Sequence, residues 1–108
     1  MKSFTEREKG FEAEFKRNQE LRFRVTARGN RLFGLWAAAR MGIPDGQAAE
    51  DYAKTVVTAD FQAPGDADVI EKVRADLAEK GVTSTEPELR AELARAATEA
   101  RRQIIAQS

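Results

Sequence analysis

The sequence predicts an all-α fold, a four-helix bundle preceded by a mobile N-terminal helix or arm. Three observations predict it. Apolar residues recur at three- and four-residue spacing along nearly the whole chain. Helix caps and stop residues punctuate that pattern at short intervals. The β-branched run Val56-Val57-Thr58 sits inside a helical pattern rather than between turns.

The first segment, residues 1–18, opens on Thr5 and Glu8, spaced as a capping box. Phe4, Phe11 and Phe15 follow at spacings of seven and four residues. At about 100° per residue they form one narrow stripe. The remainder is charged: Glu6, Arg7, Glu8, Lys9, Glu12, Glu14, Lys16 and Arg17. So thin a stripe has little to bury against its own chain and suits docking on a partner. The first helix of an ordinary bundle is the competing reading. An isolated segment of this length is marginal as a helix in water, so it is expected to be disordered or a labile helix when free.

A second pattern then takes over, with Leu21, Val25, Leu32, Leu35, Trp36 and Ala39. It is rotated roughly 80° from the phenylalanine stripe. One straight helix does not easily bury both stripes on one neighbour, so a break near Asn18 and Gln19 is expected. Trp36 reads as a core anchor. Gly42 closes this helix before Pro44. Asp45 is the expected cap of a third helix, about residues 46–62, with Ala49, Tyr52, Ala53, Val56, Val57 and Phe61 on its face. After Ala63-Pro64-Gly65, Asp66 is the expected cap of a fourth, carrying Val69, Ile70, Val73 and Leu77 to a stop at Gly81. Thr85 and Glu88 resemble another capping box, and Leu89, Leu93, Ala96, Ala100 and Ile104 line the last helix. Short connections imply antiparallel neighbours, so residues 19–108 form the bundle.

Composition narrows the function. The chain has 108 residues, one domain's worth, with 42% hydrophobic residues. There is no Cys and no His, which removes disulfides, thiolate chemistry and the commonest general base and metal ligand. No apolar run approaches the roughly 20 residues of a membrane span, and the N-terminus has no signal-type stretch, so a soluble intracellular protein is expected. Net charge is zero, yet residues 1–40 hold ten Lys/Arg against five Asp/Glu, and residues 41–108 hold eight against thirteen. The basic part suits either the acidic helices of the same chain or an acidic partner.

No catalytic set emerges, and the chain is not expected to be an enzyme or to need a cofactor. Ser3, Ser84 and Ser108 have no histidine to activate them. Asp60, Asp66 and Asp68 lack the ligand alternation of a calcium loop and read as helix-start carboxylates. Gly29 and Gly34 lie within a helical pattern and make no phosphate loop. Arg22, Arg24, Arg28 and Arg31 form a basic stretch. A helical adaptor or nucleic-acid-binding module using that helix is the alternative function, set against a solvated or internally paired face.

A longer set of motifs resembles a known family. Arg7-Glu8-Lys9-Gly10-Phe11-Glu12 with Phe15, then Glu20-Leu21-Arg22-Phe23, are followed by Asn30-Arg31-Leu32-Phe33-Gly34-Leu35-Trp36-Ala37-Ala38. Tyr52-Ala53-Lys54, Val56-Val57, Ala59-Asp60-Phe61, Pro64-Gly65-Asp66 and Lys72-Val73-Arg74-Ala75-Asp76-Leu77 complete the set. Together they resemble the zeta subunit, the inhibitory subunit of certain bacterial F-type ATP synthases. The resemblance implies a four-helix bundle whose mobile N-terminal segment, about residues 1–19, inserts into the catalytic head and blocks ATP hydrolysis. The implied partners are the alpha, beta and gamma subunits of that head. No nucleic acid and no direct membrane insertion is implied, and the location would be the cytoplasmic face of the membrane-bound synthase. The implied contact residues are Phe4, Arg7, Glu8, Lys9, Phe11, Glu12, Phe15 and Lys16. Gly29 departs from the family pattern, which leads one to expect a longer, often basic residue there. As a helix-interior glycine it is expected to loosen its helix by about 1 kcal/mol relative to alanine.

Overall fold

Four helices follow one another in the order α1 (Phe4–Arg40), α2 (Gln47–Gln62), α3 (Asp66–Glu79) and α4 (Glu86–Gln107). They are seen in a computed structural model that describes the backbone of residues 4–62 and 65–107, and the side chains of residues 18–62 and 65–107. The all-α bundle agrees with the periodicity. α1 is the central element, packed on α2 and α4 and more lightly on α3.

The expected break near Asn18 and Gln19 is absent: α1 runs unbroken through 37 residues, about 55 Å. The reason is local. Arg17, Asn18, Gln19 and Glu20 include no proline or glycine, so nothing interrupts the backbone hydrogen-bond ladder. The bundle-packed part of α1 also supplies the nucleus, and residues N-terminal to it extend a helix by propagation, without the cost of starting one. The rotated stripes therefore belong to one rod.

The core also departs from the expected α1 stripe. Phe33, Gly34, Ala37 and Ala38 are buried, as are Gly29 and Asn30, while Leu21, Val25, Leu32 and Leu35 are half-buried and Ala39 is exposed. Small residues decide which face turns inward. A Cβ built on Gly34 would stand 2.8 Å from the Ala53 Cα, and one on Gly29 would stand 3.3 Å from the Ala97 Cα. Two helix backbones thus approach α1 closely, and Phe33 fills the space between these contacts with Val56, Val69, Ile70, Val73, Leu77, Leu89 and Leu93. Gly29 is consequently a packing position against α4, not a loose point. Trp36 is half-buried on the rim, stacked on Phe33 at 5.7 Å, with the Arg40 guanidinium 5.3 Å above it. It supports the core rather than anchoring it.

Helix ends follow the punctuation in part. Gly42 and Gly81 both take positive φ, +80° and +77°. Each closes a matched pair of bonds. Gly42 and Ile43 donate to Ala39 and Ala38, and Gly81 and Val82 donate to Ala78 and Leu77. Thr85 Oγ1 accepts the Glu88 amide at 3.3 Å, half of the expected capping box. The two aspartate caps are not formed. α2 starts after Gly46, whose carbonyl accepts the Glu50 amide at 3.0 Å. α3 starts after Gly65, which places Asp66 inside the first turn beside Asp68. There a carboxylate acts on the helix dipole instead of on a free amide.

Candidate functional site

The residues named from sequence as partner contacts, Phe4, Arg7, Glu8, Lys9, Phe11, Glu12, Phe15 and Lys16, all lie on α1. Their side chains fall outside the described residues. What the structure shows is the frame that carries them: one helix whose later turns are locked into the bundle by close backbone contacts at Gly29 and Gly34.

The basic stretch resolves into individual roles. Arg31 Nε donates to Glu50 Oε2 at 3.0 Å, a second contact of the same pair is closer still, and this bond holds the Glu50 carboxyl below its usual range. Arg28 is half-buried and donates to Gln103 Oε1 of α4 at 3.4 Å. Arg24 and Arg22 are exposed. Two of the four arginines are therefore spent tying α1 to α2 and α4, which shortens any phosphate-tracking row.

Other titratable groups meet in structural roles. Tyr52 Oη donates to Asp76 Oδ2 at 2.8 Å, and Lys72 Nζ lies 3.0 Å from the same oxygen and 5.6 Å from the Tyr52 ring centre. Burial and Asp76 push the Tyr52 hydroxyl well above its ordinary value, so its proton stays in place. The trio pins α2 to α3. Asp60 Oδ1 accepts the Gly65 amide at 3.2 Å, closing the α2–α3 connection. Among the described residues no three His, Cys, Asp or Glu side chains gather at metal-binding distance.

One aromatic contact arises only in the fold. Phe23 and Phe61 stand exposed, at 56% and 57%, with ring centres 5.4 Å apart and planes tilted by 41°. Phe61 was expected on the buried face of α2 and instead projects at its last turn. The available signal was Phe23 itself, lying off the Leu21–Val25 line between Arg22 and Arg24.

A family model, ATPase inhibitor subunit zeta, matches residues 1–103. The chain belongs to that family. The zeta match takes in the N-terminal segment, α1 to α3, and α4 as far as Gln103. No curated protein matches the chain. Membership in an inhibitor-subunit family makes the role regulatory, directed at an ATPase. Among the described residues no helix is long and apolar enough to cross a membrane.

Proposed function

We propose that this zeta-family protein inhibits ATP hydrolysis by an F-type ATP synthase, inserting residues 1–18 into the catalytic head among its alpha, beta and gamma subunits. The observation that supports this most is the construction of α1. A single helix joins a bundle with its own core to a segment whose narrow Phe4, Phe11, Phe15 stripe has too little apolar width to build one. Apolar anchors that are not needed at home are available to a partner.

The segment is a helical extension that orders fully on binding. Propagation from the packed turns makes the helix cheap to complete, and the large rings offset the remaining ordering cost. Phe11 and Phe15, one turn apart, act together. Phe4 lies two turns earlier, and Arg7, Lys9 and Lys16 pair with acidic groups beside the stripe while Glu8 and Glu12 pair with basic ones. The work is done at the cytoplasmic face of the membrane-bound enzyme, by contact alone and without a cofactor.

The test is titration of the cognate ATPase with the full chain and with the Phe11→Ala, Phe15→Ala double variant. The wild type should suppress hydrolysis, and the variant, shown folded by circular dichroism, should not. Equal inhibition by both proteins would place the active surface elsewhere.

A further inference from the structure

The three large apolar side chains that stand exposed among the described residues are Phe23, Phe61 and Ile105. They gather at one end of the bundle. Phe61 is in the last turn of α2 and Ile105 in the last turn of α4. Phe23 touches Phe61, and Ile105 borders a groove shared with Leu21, Arg22 and Val25 of α1. This is also the end from which α1 continues toward Phe4.

Arginines are prominent around this end. Arg22, Arg24 and Arg101 have no carboxylate partner among the described residues, whereas Arg31, Arg74, Arg90 and Arg102 each hold one. Asp60 and Asp66 line the neighbouring grooves, and Asp60 Oδ1 accepts the Gly65 amide at 3.2 Å. Exposed aromatic side chains within a rim of weakly hydrated guanidinium groups have the composition of a protein–protein contact.

We propose that this end of the bundle is a second docking surface, seating on an acidic protein surface that carries apolar side chains, on the same ATPase the N-terminal segment enters. The proposal rests on the inhibitor reading and extends it from residues 1–18 to the bundle. α1 passes through both surfaces, so contact at one positions the other, and the two bindings add as they do for linked sites. A nucleic acid fits less well. Phe23 and Phe61 pack against each other instead of standing as separate stacking platforms, and Arg28 and Arg31 are tied to Gln103 and Glu50.

Four full-length proteins titrated against the cognate F-type ATPase decide it: wild type, F23A/F61A, R22E/R24E and F11A/F15A. The F23A/F61A protein should still inhibit completely at saturation but require about tenfold more protein to do so. The R22E/R24E protein should associate more slowly and lose most of the salt dependence of its association rate. Titrations of both that match the wild type, while F11A/F15A fails to inhibit, would overturn this proposal and leave the inhibitor reading standing. A wild-type chain that leaves hydrolysis untouched would overturn both. Loss of binding to labelled duplex DNA or single-stranded RNA in R22E/R24E, with ATPase titration unchanged, would give the surface to nucleic acid instead.

Discussion

Over residues 29–38 the buried face of α1 is built from small residues around one large ring, Phe33; over residues 4–17 the sequence has three phenylalanines scattered among eight charged residues. The two stretches share one helix and have opposite designs. In the first, Gly29, Gly34, Ala37 and Ala38 lower the helix surface until neighbouring backbones touch it, and Phe33 fills the space this creates. In the second the rings are too few and too spaced to enclose anything by themselves. Apolar content separates the two, six of ten residues against four of fourteen. On the buried face of the first, close approach of backbones at Gly29 and Gly34 lets the helix satisfy itself within its own chain.

The sharpest way to break this contrast is at Phe33, which is fully buried. Phe33→Ala should cost about 3–5 kcal/mol, read as a fall in the urea midpoint at unchanged m-value. Trp36→Ala, on the rim, should cost less than half as much. A reversed order would return Trp36 to the centre of the core.

Next in size is the glycine pair. Gly34→Ala gains about 1 kcal/mol of helix propensity. It also places a Cβ 2.8 Å from the Ala53 Cα, a clash with backbone that cannot rotate away. Overpacking of this kind costs about 1–3 kcal/mol, so a net loss is expected. Gly29→Ala meets the Ala97 Cα at 3.3 Å, where a small shift suffices, and should fall within about 1 kcal/mol of wild type. Thermal melts of the two variants side by side measure the difference. Equal losses would mean that α4 is held as rigidly against α1 as α2 is.

Much of this fold was legible in the sequence and some was not, for identifiable reasons. Val69, Ile70, Val73, Leu77, Leu89, Leu93, Ala100 and Ile104 announced their faces because large side chains at helical spacing mark a buried stripe directly, and all of them are buried. α1 departs from the expected stripe because small residues around Phe33 mark its inward face. Gly34, Ala37 and Ala38 carry little hydropathy, so the larger Leu32, Leu35 and Trp36 drew the stripe toward themselves. The absence of the break has a related reason, since a rotated side-chain pattern does not require a bend in the backbone. The aspartate caps failed because a glycine stood between each expected cap and its helix, or in the cap position itself. At the candidate site, the phenylalanine stripe was legible as spacing. The exposed Phe23–Phe61 pair was not, because two residues on different helices meet only once the fold is set.

Removing the N-terminal stretch tests the contrast from its other side. The buried residues of α1 among those described begin at Gly29, with Leu21 and Val25 half-buried before it. A chain beginning at Gln19 should therefore unfold cooperatively within about 1 kcal/mol of the full protein, a small change against a typical domain stability. It should at the same time lose inhibition of the ATPase. A loss of several kcal/mol would show that the phenylalanine stripe belongs to the core.

The smallest expected effect concerns the contact that holds α1 to α4 between these two stretches. Arg28 of α1 donates to Gln103 Oε1, and Gln103 Nε2 donates in turn to Glu99 Oε1 at 3.1 Å. Glu99 also accepts from Arg102 Nε at 2.9 Å. The Arg102 bond, followed by the Gln103 bond, lowers the Glu99 pKa to about 2. A carboxylate depressed by folding adds stability above its unfolded pKa and loses it as pH falls through the folded one. The contribution is thus complete above about pH 4.5 and is lost as pH falls through about 2. Glu99 is solvent-accessible, so salt and water screen the pair and the effect is slight. Glu99→Gln should melt marginally below wild type at neutral pH, and the gap should close on acidification through about pH 2. Gln at position 99 still accepts from Gln103, so what the gap reads is the charge toward Arg102. If the gap persists at the acid end, the side chain matters through packing at the α1–α4 seam, and the junction between the two halves of α1 is set by shape rather than by charge.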